Sequence, residues 1–330
     1  MAFKDILGDA RIKRILGRSL RKERLPNSLL FSGLKGIGKS EIAFVTAKAL
    51  NCQNMIDDAC EVCESCLSIN KGNHPDIMHI LPESDVLKID QMRALKEAAY
   101  LKPMVGKKRV FIIENAEKMN AGAANSLLKV LEEPPAFAHL ILVTDNPYII
   151  LPTIKSRCQV LKFSPISRED IESCLVQQGM DKTQARIISL LVRGNLKQAM
   201  NFDWEKIQAE REKAWKFFWA VVRGGNLADF LKELSIKRRA QAGEELNHML
   251  EILASICRDL LLIKEEGGAA LLMNPDYESE IREVAGEIST SGCLSLLRKI
   301  EDSLSAIQRN VNVRLLVSSM ILNSMEKNHV

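Results

Sequence analysis

A glycine-rich segment that ends in lysine and serine is the strongest chemical signal in the sequence. The pattern G-x-x-x-x-G-K-[ST] is formed by Gly33, Leu34, Lys35, Gly36, Ile37, Gly38, Lys39 and Ser40. In such a loop, backbone N–H groups surround phosphate oxygens, the lysine reaches the β and γ phosphates, and the serine hydroxyl binds Mg²⁺. An apolar strand before the loop and a helix after it favour this interpretation over a chance match. The segment therefore predicts binding of ATP with Mg²⁺.

An acidic residue at the end of a second apolar run would complete the magnesium site. The run 110–113 leads into Glu114, which occupies the position expected to hold Mg²⁺. Asn115 follows, where motifs of this type have a water-activating carboxylate. An amide cannot accept the proton, and loss of a general base commonly lowers a rate by about 10²- to 10⁴-fold. The sequence therefore predicts nucleotide binding without efficient hydrolysis.

Four of the eight cysteines lie within fifteen residues, as Cys52, Cys60, Cys63 and Cys66. Four thiolates complete a tetrahedral site and leave no position for a catalytic water, so the predicted metal site is structural. Zinc is the favoured ion. An iron–sulfur cluster and a metal-free cluster are the alternatives, and the C-x₃-C-P continuation typical of iron–sulfur proteins is missing after Cys66.

Short apolar runs alternating with helical stretches must position these residues. Strands are predicted at 28–32, 76–80, 109–113, 139–143 and 159–163, and helices between them at 39–50, 88–101 and 120–132. This alternation predicts an α/β fold with a doubly wound parallel sheet. After residue 164 the apolar spacing is helical throughout. We expect a nucleotide-binding domain over 1–163 with an inserted cysteine knuckle at 52–66, a small helical domain over 164–202 and a helical bundle over 203–330.

The composition is that of a soluble globular protein, with 46% hydrophobic and 27% charged residues in 330. The sequence has no apolar run of membrane-spanning length and no secretory or transit signal at its start, so the cytoplasm is the expected location. The net charge of +4 is concentrated in the first thirty residues, which contain eight basic and three acidic side chains. The remainder is near neutral, which argues against a general nucleic-acid-binding surface.

Several motifs together resemble the clamp-loader branch of the AAA+ ATPases. They lie at 3–8, 24–31, 52–66, 74–76, 125–135, 144–146 and 156–158. The resemblance covers residues 1 to about 200, and beyond it the chain has only a helical bundle of suitable length. It implies an AAA+ phosphate-binding-loop (P-loop) sheet core, a helical lid and an all-α collar of the kind that holds a pentameric ring together.

The resemblance also implies roles for individual residues. Considered without the resemblance, Arg157 is interpreted as an ordinary surface arginine. The resemblance implies that it is an arginine finger for the ATP site of a neighbouring subunit. Asn146 ends the sensor strand of the nucleotide site. Lys197 stands in the sensor-2 segment, where a motor subunit usually has arginine, and it keeps the charge without the planar two-pronged geometry.

The partners implied are gamma/tau-type and delta-type subunits in a hetero-pentamer, with the sliding clamp and primer–template DNA contacted through the complex. The departures at Asn115 and Lys197 favour a stator that binds ATP and hydrolyses it poorly. Two alternatives stay open at this point: an active gamma/tau-type motor ATPase, and a zinc-dependent nucleic-acid-binding protein.

Overall fold

The computed structural model describes residues 1–192, 194–223, 239–268 and 271–308. The chain forms two compact units. The first comprises Met1–Gly179 and Val192–Asn201, and the second comprises Met180–Leu191 and the chain from Phe202 onward. The predicted boundaries at residues 164 and 203 stay a prediction, and the parts of the predicted bundle at 224–238, 269–270 and 309–330 lie outside the described residues.

A five-stranded parallel sheet is the centre of the first unit. Its strands are β1 (Ser28–Ser32), β2 (Ile77–Ile80), β3 (Arg109–Ile113), β4 (Ala138–Thr144) and β5 (Gln159–Lys162), in the order β2-β3-β4-β1-β5. Every residue of β1 and β4 is buried, as expected for strands covered on both faces. The predicted parallel α/β sheet is confirmed, with strand bounds within one residue of the prediction.

Helices cover both faces of this sheet. Those of the first unit are α1 (Ala10–Arg21), α2 (Lys39–Asn51), α3 (Glu64–Asn70), α4 (Ile89–Ala99), α5 (Ala121–Glu132), α6 (Pro152–Lys155), α7 (Arg168–Gln177) and α9 (Leu196–Met200). On one face α1 and α2 pack against Leu29 and Phe31. On the other, α4 and α5 pack against Leu30 and Phe111. Alternating strand residues thus supply two separate cores.

The second unit is helical in its described part, as the apolar spacing predicts. Its helices are α8 (Lys182–Leu191), α10 (Trp204–Arg223), α11 (Arg239–Lys264), α12 (Glu278–Glu287) and α13 (Thr290–Gln308). Trp215 and Phe218 of α10 are buried in its core and their rings stack. Arg211 is also buried, and its guanidinium donates to both carboxylate oxygens of Asp276 at 2.8 and 2.7 Å. Among the described residues, no helix is both long and apolar enough to cross a membrane.

Asp76, which directly precedes β2, holds the loop that leads into β3. Its two carboxylate oxygens accept hydrogen bonds from the backbone N–H groups of Met104, Val105 and Gly106 at 2.7, 2.9 and 2.7 Å. Burial alone would raise the pKa of Asp76, but these hydrogen bonds outweigh it and the pKa is lowered. Next to it, the His74 ring is hydrogen-bonded to the Ser65 hydroxyl of α3 at 3.0 Å. Residues 74–76 therefore connect the cysteine knuckle to the sheet.

Replacing Asp76 with asparagine is expected to lower the free energy of unfolding by about 2–3 kcal/mol, because an amide NH₂ would face N–H donors. The ionised Asp76 contributes its full stabilisation of the folded state above its usual pKa of 3.8, and this contribution is lost as the pH falls through the lowered pKa of the folded state. The difference in unfolding free energy between wild type and Asp76→Asn should therefore become smaller in acid. Urea unfolding at several pH values measures both effects. Asp90→Asn, at an exposed carboxylate on α4, is the control and should change stability by less than about 0.5 kcal/mol. Equal effects of the two substitutions would contradict this role of Asp76.

Candidate nucleotide site and cysteine cluster

The glycine-rich loop lies between β1 and α2, as predicted. Gly36 has φ +74° and Gly38 has φ +90°, left-handed conformations that favour glycine. A Cβ at Gly36 would lie 1.9 Å from the Asn195 side-chain oxygen, so the loop and residue 195 approach closely. Ile37 is buried in the core and anchors the loop, whereas Leu34 and Lys35 are exposed. The backbone can therefore face a phosphate while Ile37 fixes the loop to the sheet.

Lys39 is buried at the start of α2 and its ammonium lies within the loop. Its Nζ donates to the carbonyl oxygens of Gly33, at 2.8 Å, and Leu34. It also pairs with Asp145 Oδ1 at 2.8 Å. Asp145 follows β4 directly, and sequence reasoning missed it. Parallel pairing of β4 with β1 brings the ends of both strands to the same edge of the sheet, so this neighbour could have been found once the strand order was known.

Ser40 and Glu114 meet as the magnesium hypothesis requires. The Ser40 hydroxyl donates to Glu114 Oε2 at 2.8 Å, which joins the first turn of α2 to the end of β3. Glu114 is 8% exposed, and among the described residues its other oxygen, Oε1, has no hydrogen-bond partner. A hydroxyl and a carboxylate are oxygen donors of the kind that Mg²⁺ prefers, so these residues fit the ion.

Asn115 leaves the site without the usual second carboxylate. Its backbone is left-handed, and its Nδ2 lies 3.5 Å from Glu117 Oε1. The Thr144 hydroxyl at the end of β4 donates to Glu117 Oε2 at 2.7 Å. Both oxygens of Glu117 therefore accept contacts from neighbouring side chains.

The other two predicted nucleotide-binding residues make more limited contacts. Asn146 Oδ1 accepts from the Tyr148 backbone N–H at 3.1 Å, within a local turn, while the adjacent Asp145 is the residue that reaches Lys39. The backbone N–H of Lys197, on α9, donates to the Gly36 carbonyl at 3.4 Å, and its side chain is exposed. The backbone of Lys197 thus lies beside the loop while its side chain is exposed, and its role in nucleotide binding stays a prediction.

Arg157 lies just after α6, and its guanidinium contacts other surface residues of the same chain. Its Nε donates to Glu132 Oε1 at 2.7 Å, and its NH2 pairs with the same carboxylate at the end of α5. Its NH1 donates to the Thr153 carbonyl at 3.0 Å and to the Ser156 hydroxyl at 3.2 Å. The guanidinium therefore contacts residues at α5 and α6. It makes none of the contacts with Gly33, Leu34 and Asp145 that Lys39 makes.

The four clustered cysteines converge on one point. The sulfur atoms of Cys52, Cys60, Cys63 and Cys66 all lie within 4.8 Å of one another. Tetrahedral Zn–S bonds of about 2.3 Å place the sulfurs roughly 3.8 Å apart, so a small contraction is enough to fit the ion. Backbone N–H groups of Met55, Cys63 and Cys66 donate to three of the sulfurs at 3.3 to 3.5 Å. The geometry fits a closed four-thiolate site.

The acidity of these thiols differs with their surroundings. Burial raises the pKa of Cys66 to about 12. At Cys60 burial is outweighed by hydrogen bonds from the backbone N–H groups of Val62 and Cys63, and the pKa falls to about 6. A metal ion that binds all four must therefore displace protons, since it binds thiolates.

The knuckle is tied to the core by Glu61. The Glu61 carboxylate accepts hydrogen bonds from Lys48 on α2 and from the Asn70 amide, the latter at 2.8 Å, and it pairs with the amino group of Met1. Burial alone would raise the pKa of Glu61, but these contacts lower it to about 2. The cysteine segment is therefore held in place by ion pairs as well as by its sulfur cluster.

Comparison with known proteins identifies the family. The family described as DNA polymerase III, delta subunit, matches residues 8–167, which contain the loop, the cysteine cluster and Arg157. The DNA polymerase III subunit delta-prime of Bacillus subtilis is 31% identical over 319 residues, and the match covers 96% of each chain. The protein belongs to the delta-prime family of DNA polymerase III subunits. The resemblance drawn from the sequence motifs is confirmed.

Other relatives of this delta-prime family member carry the related subunit names. The tau subunit of B. subtilis is 25% identical over 353 residues, covering 99% of this chain and 62% of tau. Among solved structures, a gamma subunit-related protein of Thermotoga maritima covers 96% of this chain and 99% of its own at 18% identity, with a TM-score of 0.39. The clamp loader delta protein of B. subtilis covers 96% and 100% at 12% identity, with a TM-score of 0.34.

Proposed function

We propose that this protein is a clamp-loader subunit of the DNA polymerase III holoenzyme and acts in DNA replication as a stator. It binds ATP with Mg²⁺, hydrolyses it poorly, and donates Arg157 to the ATP site of a neighbouring motor subunit while the sliding clamp is loaded. Membership of the delta-prime family supports the general assignment. The single observation that carries the stator role is the pairing of Ser40 with Glu114 in a site where Asn115 replaces the second carboxylate.

The nucleotide would be held by the loop from Gly33 to Ser40. Its N–H groups and the positive end of α2 would face the phosphates, and Lys39 would exchange its carbonyl contacts for phosphate oxygens. Ser40 and Glu114 would hold Mg²⁺, which neutralises phosphate charge when bound. Asn195 and Lys197, close to the loop, would contact the nucleotide from the small helical lid.

The partners would be gamma/tau-type and delta-type subunits of a hetero-pentamer in the cytoplasm, with the clamp and primer–template DNA reached through the complex. An AAA+ core over 1–163, a lid over 164–202 and a collar over 203–330 are the organisation we propose for this role. The cysteine quartet would hold a structural Zn²⁺.

The isolated protein is expected to bind ATP and to hydrolyse it far more slowly than about 1 s⁻¹, the low end of ordinary enzyme rates, because Asn115 cannot accept a proton. Lys39→Ala should weaken ATP binding by about 10- to 100-fold, since a charged contact to phosphate is lost. Lys35→Ala, at an exposed lysine of the same loop, is the matched control and should bind like the wild type.

Calorimetric binding and a steady-state phosphate-release assay measure the two properties separately. ATP hydrolysis at about 1 s⁻¹ or faster by the isolated chain would contradict the stator role and favour the alternative of an active motor ATPase. The 25% identity with the tau subunit is the observation that favours this alternative. Failure of the wild-type protein to bind ATP would remove the nucleotide from the proposal.

A further inference from the structure

The two carboxylate oxygens of Glu114 have different surroundings. Oε2 accepts the Ser40 hydroxyl at 2.8 Å. Oε1 is buried and has no hydrogen-bond partner among the described residues, a situation that is unfavourable for a carboxylate. The Nε2 atom of His79 lies 3.5 Å from this oxygen. A ring rotation or shift of a few tenths of an ångström would close that gap to a hydrogen bond.

The fold brings His79 to this place through the pairing of β2 with β3. His79 is in register with Ile112, and the backbone N–H of Glu114 donates to the Ile80 carbonyl at 3.0 Å. The rings of His79 and of Phe44 on α2 pack in a T-shaped arrangement, with centroids 4.8 Å apart and planes at 72°. Two neighbouring elements, β3 and α2, therefore fix the ring beside the carboxylate. The sequence offered no spacing that would single out this histidine.

We propose that His79 is a positioning residue for Glu114. Its Nε2–H donates to Oε1 and holds the carboxylate in the orientation in which Oε2 and the Ser40 hydroxyl face the magnesium ion of a bound nucleotide. Without this donor the buried Oε1 has no polar side chain to pair with, and the orientation of the carboxylate relative to Ser40 is less well fixed. The inference rests on the proposed binding of Mg²⁺–ATP, and it assigns His79 to the magnesium part of the site rather than to the phosphate part.

The measurable consequence is a loss of the affinity that magnesium adds. ATP affinity of the full-length protein is measured calorimetrically in excess Mg²⁺ and in EDTA, and the ratio of the two dissociation constants is the magnesium gain. His79→Phe keeps the ring contact with Phe44 but has no N–H donor, and it should reduce this gain by about 5- to 20-fold with the affinity in EDTA unchanged. The unchanged value also shows that the loop is folded.

His79→Gln returns an N–H donor and should restore most of the magnesium gain, which a purely structural role of the ring would not explain. His248→Ala, at a half-exposed histidine in the second unit, is the control and should leave the gain unchanged. A magnesium gain in His79→Phe equal to that of the wild type would overturn the inference while leaving the proposed function intact. Absence of ATP binding by the wild type would overturn both.

Discussion

Replacing Arg157 with alanine is expected to lower ATP hydrolysis by the assembled clamp loader by about 10- to 10³-fold at the adjoining site. An arginine supplied in trans stabilises the charge that builds up on the γ-phosphoryl oxygens. Arg157 could act in trans because its guanidinium lies at the surface, where it contacts Glu132 and Thr153. The glycine-rich loop of its own chain is contacted by Lys39 instead. The fold and the ATP affinity of the isolated Arg157→Ala chain should therefore be unchanged.

The measurement is DNA-stimulated ATPase and clamp loading by complexes reconstituted with wild-type or variant protein at matched assembly. Arg157→Lys should rescue little, since an ammonium cannot reproduce a two-pronged guanidinium contact. Arg93→Ala is the matched control, because Arg93 is also an exposed arginine that pairs with a carboxylate, at 3.5 Å from Asp90. Equal rates for wild type and Arg157→Ala would leave this subunit with a scaffolding role alone.

The contacts of Arg157 also indicate what must change on assembly. Glu132 accepts from its Nε and NH2, while Thr153 and Ser156 accept from its NH1. A two-pronged contact with phosphate uses the same donors, so in the proposed role the guanidinium would exchange the Glu132 carboxylate for the neighbour's γ-phosphate. Because Glu132 is at the surface, water can replace Arg157 there, and the exchange is energetically modest.

Substitution of Cys63 by serine is expected to remove one bound zinc ion and to destabilise the first unit by more than about 3 kcal/mol. Structural zinc contributes about 10–16 kcal/mol of apparent binding energy in zinc-finger peptides, and part of that would be available to fold the knuckle when the proposed zinc is bound. Cys63 is hydrogen-bonded to two other cysteines of the cluster, since its sulfur accepts the Cys66 N–H and its own N–H donates to the Cys60 sulfur. Elemental analysis and thermal unfolding measure the two losses.

Wild-type protein should contain about one equivalent of zinc, as one four-thiolate site predicts. Cys174→Ser is the control, because Cys174 lies on α7 outside the cluster and should leave the zinc content and the unfolding temperature unchanged. Less than about half an equivalent in carefully purified wild-type protein would contradict the zinc assignment. A brown chromophore with bound iron would favour the iron–sulfur alternative.

The sequence by itself determined the features that depend on local spacing. The glycine pattern fixed the loop, and β-branched runs between helical stretches fixed the five parallel strands to within one residue. The four cysteines that spacing grouped together do converge in space. The residue types at 114 and 115 also showed that the predicted nucleotide site has the carboxylate for Mg²⁺, Glu114, and has an amide, Asn115, in place of the water-activating carboxylate. Each of these signals lies within a few residues along the chain, where backbone geometry and side-chain type are sufficient.

Only the tertiary structure decided which side chains meet at the edge of the sheet. Asp145 rather than Asn146 pairs with Lys39, and His79 lies beside Glu114. The Glu117 carboxylate accepts a hydrogen bond from the Thr144 hydroxyl. These contacts depend on the strand order β2-β3-β4-β1-β5. It places β4 next to β1, although two strands lie between them along the chain, and it places the consecutive strands β2 and β3 side by side. Periodicity predicts that a strand exists, but which strands are neighbours is set by how the whole core packs.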